Sequence, residues 1–189
     1  MTDAPFDLTG AVTFDLAAGR VSVKGSHARV LVPAEQLCAL CDAAGEDATR
    51  SFGLALGESM GRRALDALGG SSESASVEAF VECLAAELAL MGLGALGMER
   101  WGRAMLLTVS SNAAHDGMLK AALEGAIATA TGRTARCVRL MDADGVRRYL
   151  VANPSAAVRV EQELAAGKGW GEVLVALHGA SPAGSRGEA

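Results

Sequence analysis

The chain is poor in aromatic side chains, which make up 4% of its 189 residues, although half of the residues are hydrophobic. Its core must therefore be aliphatic, built from Leu, Val, Ala and Met. A basic excess is also missing. Seventeen Lys and Arg face 22 Asp and Glu, for a net charge of -5, which argues against a general nucleic-acid binder because phosphate binding needs a basic surface. No apolar run reaches the roughly 20 residues of a membrane helix. The opening MTDAPFDLTG is acidic and lacks the basic-then-apolar order of an export signal. No membrane insertion and a cytoplasmic location are therefore expected. In that setting Cys38, Cys41, Cys83 and Cys137 are expected to be reduced thiols.

Catalytic patterns are lacking as well. His27, His115 and His178 stand in no HExxH motif. Ser110 and Ser111 lie near His115, but no elbow motif holds either as a nucleophile. GLGALG, from Gly92 to Gly97, follows a helical pattern, whereas a dinucleotide fingerprint needs strand, glycines and then helix. No catalytic residue, metal site or cofactor is expected, and the chain reads as non-enzymatic.

What is present is an organised run of elements. Residues 1–10 read as a flexible leader, 11–153 as a single α/β domain of α+β type, 154–179 as a C-terminal helical pair and 180–189 as a disordered tail. Ala11–Leu16, Val21–Val23 and Ala28–Val32 predict an N-terminal β-element. Pro33 suits the first position of a helix running through AEQLCALCDAA, with Leu37, Leu40 and Cys41 inward. The next helix, Asp47 to Leu68, carries Phe52, Leu56, Met60, Ala64 and Leu68 in one stripe. Ser74 or Ser76 can cap a third helix with a broad apolar face, ending at Gly92 and Gly94. ALGMERW and AMLLTVSSN then predict a hairpin turning at Gly102–Arg103. A helix from Gly117 to Thr131 follows, and then a second hairpin around the DADG turn. The expected architecture is an antiparallel four-stranded sheet packed with helices. Val158, Leu164, Trp170, Val173, Leu174 and Leu177 predict the inner faces of the C-terminal pair.

Several clusters carry more than one reading. Gly53, Gly57 and Gly61 recur at four-residue spacing beside Met60, so another backbone is expected to come close to that face. The partner is either the third helix of the same chain or a second copy across an oligomer interface. Cys38 and Cys41 are spaced for thiol redox chemistry, or they are small buried hydrophobes on an apolar stripe. Arg133, Arg136, Arg139, Arg147 and Arg148 form either a solvated strand face that blunts an edge or a surface for an anionic partner. Met91, Met98, Leu107, Met118 and Cys137 are the candidate lining of an apolar ligand pocket, and serve equally as ordinary core.

Three segments carry a family resemblance: GRVSVKGSHARVLVPAEQLCAL with GEDATRSFGLALGESMGRRAL, then LALMGLGALGMERWGRAMLLTVSSNA, then MLKAALEGAIATATGRTARCVRLMDADG. Together they resemble the vinyl-4-reductase-type ligand-binding domains, which share a fold with core subunits of the TRAPP tethering complex and with sensor domains of aromatic-responsive activators. The resemblance implies dimers formed through helices and a small apolar ligand. The chain is read as a binding or assembly module that self-associates through its helices, as a homodimer or larger oligomer, and binds a protein partner. The resemblance also implies a cysteine-based metal site near the last hairpin, but this chain departs there. Cys137 stands where that pattern begins, while the stretch beyond the turn reads VRRYL. The run from Gly57 to Asn112, with MLKAALEGAIATATG, is similar to the D subunit of bacterial cellulose synthase complexes, which implies a scaffold role instead.

Overall fold

The computed structural model describes residues 12–23, 28–70, 76–111 and 113–179. The leader, the tail, Ser74, His27 and Asn112 lie outside the described residues, as does the side chain of His178. Three short strands come first: β1 (Val12–Asp15), β2 (Arg20–Val23) and β3 (Ala28–Arg29). They pair antiparallel in that order. Helices α1 (Ala34–Ala44), α2 (Glu46–Ala67) and α3 (Val77–Leu90) follow, then the hairpin β4 (Ala95–Trp101) and β5 (Ala104–Ser110). Helix α4 (Asp116–Thr131) leads to the hairpin β6 (Arg136–Ala143) and β7 (Val146–Ala152), and α5 (Pro154–Ala165) and α6 (Trp170–Gly179) close the chain.

The four later strands form one antiparallel sheet in the order β4-β5-β7-β6. At the tip of the second hairpin Asp144 and Gly145 take φ of 55° and 72°, the paired positive values that a two-residue hairpin turn requires. β5 is central, and both of its faces are covered. Leu107 and Val109 join the helical core on one face with Tyr149 and Cys137. Leu106 faces the other way with Val138, Leu140 and Leu150, against Ala157, Val160, Val173 and Leu174 of α5 and α6. Because side chains alternate along a strand, one sheet thus supports two cores, with α2, α3 and α4 on one side and the C-terminal pair on the other. That pair docks on its own chain. Ala157 and Val160 make its inner face, and Val158, expected there, is 50% exposed.

Three expectations about helix faces need correction. Leu40 and Phe52 were expected to face inward, yet they are 64% and 50% exposed, because neither is covered by α4. The glycine row packs neither on α3 nor across copies, because α4 of the same chain occupies it. A Cβ at Gly53 would lie 2.5 Å from the Met118 carbonyl oxygen, and one at Gly61 2.8 Å from that of Ala126. One at Gly57 would fall against the Ala122 backbone. Met60 is fully buried beside them. The four residues named for an oligomer interface are therefore interior. Contacts ascend together along both helices, so α2 and α4 run parallel and begin at the same end of the molecule.

Candidate functional site

Two concave sites flank this parallel pair. The first is apolar, about 150 Å³ in volume, and opens between α3, β5 and the last turns of α2 and α4. Phe80, Val81 and Leu84 of α3 form one wall, and Met105 and Leu107 of β5 the other. Ile127 and Ala130 of α4 and Leu65 of α2 close it. The hydroxyls in its lining, those of Ser76 and Thr131, are already engaged. Ser76 Oγ accepts the Ala79 N–H at 3.1 Å as the cap of α3. Thr131 donates to the Ile127 carbonyl at 2.8 Å and accepts from Arg133 N–H at 3.2 Å.

Of the five residues predicted to line a pocket, Leu107 does so. Met118 and Cys137 are packed in the filled core, at 0% and 2% exposure, and Met91 and Met98 pack against that core from its edge. The remaining lining was missed. Apolar periodicity identifies which side chains point inward, but the place where inward side chains fail to meet depends on how three elements cross.

The second site is a polar cleft of about 320 Å³ at the end where α2 and α4 begin. At its floor Glu124 is 2% exposed. Its Oε1 accepts from Arg136 Nε at 3.1 Å and from the backbone N–H of Cys137 at 2.9 Å. Arg50 Nη2 lies 2.6 Å from Oε2, an ion pair by distance that is off the hydrogen-bond direction. Lys120 also lines the cleft, its Nζ 3.9 Å from Asp116. His115 caps α4, its Nδ1 accepting the Met118 N–H at 3.4 Å. That bond leaves the proton of the neutral ring on Nε2, which faces Asp42 Oδ1 at 3.2 Å. His115 is thus the N-cap of α4, with one edge toward the cleft.

The remaining candidates are structural. Cys38 Sγ donates to the Ala113 carbonyl at 3.2 Å. Burial pushes the Cys41 thiol up, the opposite of the lowered thiol that redox attack needs. Of the hairpin arginines, Arg139 lies 3.5 Å from Asp116, Arg147 3.1 Å from Asp142 and Arg148 3.3 Å from Glu99. Arg136 shares Glu124 with Arg50, so four of the five arginines are engaged with carboxylates and the hairpin offers no broad basic surface. The described residues contain no group of three or more His, Cys, Asp or Glu placed to hold a metal ion. None of their helices is long and apolar enough to cross a membrane.

No protein-family model matches the chain, and no curated protein sequence does so. Among solved structures, the chain is similar to the phenol-responsive sensory domain of the transcription activator PoxR, solved with phenol. The match has a TM-score of 0.62 at 17% identity and covers 87% of this chain and 96% of that one. At that identity the likeness concerns the fold.

Proposed function

We propose that the chain is a non-enzymatic module of the vinyl-4-reductase type that binds a small apolar ligand between α3 and β5 and relays its occupancy to a protein partner. The observation that carries this reading is the pocket itself. It is open, it is lined by Phe80, Val81, Leu84, Met105, Leu107 and Ile127, and it lies between the helical layer and the sheet of a fold that a sensory domain shares. Its volume of about 150 Å³ is that of an apolar cavity able to hold one benzene-sized molecule. The glycine row that would have served self-association in this reading, and equally in the cellulose-synthase-D-like scaffold reading, is occupied by α4 of the same chain.

Toluene tests the proposal. At about ten times its Kd a ligand specific for the native state adds about 1.4 kcal/mol, and a chain of this size should gain roughly 3–6 °C in Tm. Ala130→Leu fills the pocket and should abolish the shift while the protein remains folded. An unshifted Tm at saturating toluene, or an equal shift in Ala130→Leu, would overturn the reading.

A further inference from the structure

We propose that the cleft where α2 and α4 begin is a second binding site, for a small organic carboxylate held by Arg50, Lys120 and Arg136. Charge in this cleft is unevenly distributed with depth. Inside, two guanidiniums share the single charge of Glu124, and neither has another hydrogen-bond or ion-pair partner among the described residues. One positive charge is therefore left over. Lys120 adds a second, because Asp116, its distant partner, is drawn on by three groups. That carboxylate also accepts from Tyr149 at 2.9 Å and lies 3.5 Å from Arg139. The opposing carboxylates sit at the rim. Asp42 is 72% exposed and faces His115, and Glu46 is exposed too, so water screens both more strongly than it screens the cations below.

Backbone adds the same sign. The parallel pair points two helix N-termini at the cleft, each carrying partial positive charge, and α2 starts at Gly45 without a side-chain cap. The ligand class follows from the rest of the lining. Gly45 and Gly117, with the Cys41 thiol and with Thr49, whose hydroxyl is bonded to the Cys41 carbonyl, add weakly polar surface among the charges, which suits a carboxylate with a short carbon chain. The volume lies at the small end for ligand pockets.

Butyrate is the probe, with butyramide as its uncharged match in shape. In NMR titrations butyrate should shift the Arg50 and Arg136 side-chain N–H signals saturably, and butyramide should bind at least about tenfold more weakly. Lys120 is 33% exposed with one long contact, so its variants keep the fold. Lys120→Glu should weaken butyrate at least about tenfold and Lys120→Arg should restore it, while about 1 M salt, with a Debye length near 3 Å, should weaken it severalfold. The absence of saturable shifts, equal binding of butyramide, or unchanged affinity in Lys120→Glu would overturn the proposal. Toluene binding is read separately at the α3–β5 pocket, so either site can fail without the other.

Discussion

Replacing Gly57 with alanine adds one methyl group where α2 meets α4. That Cβ would lie 2.9 Å from Ala122 Cα and closer still to its carbonyl. Ordinary contact begins at 3.4 Å, so the helices must part by at least about 0.5 Å there, and a gap of that size forfeits a quarter to a half of each neighbouring contact. The obstruction is backbone on both sides, so no rotamer change relieves it. Gly53, Gly61 and Gly125, whose own Cβ would lie 3.2 Å from Glu58 N, hold the same interface closed above and below. Overpacking of this kind costs up to about 3 kcal/mol, and alanine returns about 1 kcal/mol of helix propensity. The net loss should be about 2 kcal/mol. With an m-value near 2 kcal/mol/M, the urea midpoint should fall by about 1 M. Gly171→Ala is the control. It lies in α6 with nothing within 4 Å of its Cβ, and the same chemical change there should stabilise by about 0.5 kcal/mol. The loss in Gly57→Ala should not depend on protein concentration, as it would if the row joined two copies. A Gly57→Ala protein as stable as its parent at unchanged m-value would refute the packing argument.

Three further outcomes follow from the same contacts. Glu124→Ala should lose about 1–3 kcal/mol in chemical denaturation, chiefly because it leaves the buried Cys137 N–H without its acceptor, while Arg50 and Arg136, both over a third exposed, turn to water. Burial, then the nearby Glu124 charge, raises the Cys137 thiol above its ordinary 9.0. The native state therefore keeps that proton when the unfolded chain has lost it, so stability is full below pH 9 and falls above it by about 1.4 kcal/mol per pH unit. Cys137→Ala should flatten that alkaline slope in pH-dependent urea melts. Alkylation of the native protein at neutral pH should label Cys38 well before Cys41, which is 6% exposed, and equal rates at the two thiols would contradict the burial described.

Most of the element order was legible because it rests on local chemistry. Ser76 caps α3, Asp144–Gly145 turns the last hairpin, and the apolar run of β5 marks a strand covered on both faces. The partners of these elements were less accessible. Four-residue glycine spacing shows that a backbone comes close, but α4, which supplies it, arrives only after another helix and a hairpin. Glu124 went unnoticed although its surroundings carried a signal. From Met118 to Ile127 nearly every residue of α4 is buried, and a helix apolar almost all round is a central one, in which a glutamate needs a cationic partner. Glu87 of α3, 6% exposed and 2.6 Å from Arg63, was missed in the same way. Leu40 and Phe52 misled for the converse reason, since apolar periodicity does not say which stripe finds a neighbour.

The parallel pairing of α2 and α4 also constrains how the molecule assembles. Adjacent antiparallel helices meet as soon as their short loop closes, but two parallel helices need a long crossover between them. Here that crossover is α3 with the β4–β5 hairpin. The tightest helix contact in the molecule is thus among its least local, and its loop-closure entropy must be overcome before any close packing rewards it. A chain half helical by appearance should therefore fold at the slower pace of a mixed α/β domain, with the glycine face of α2 bare until α4 has been made.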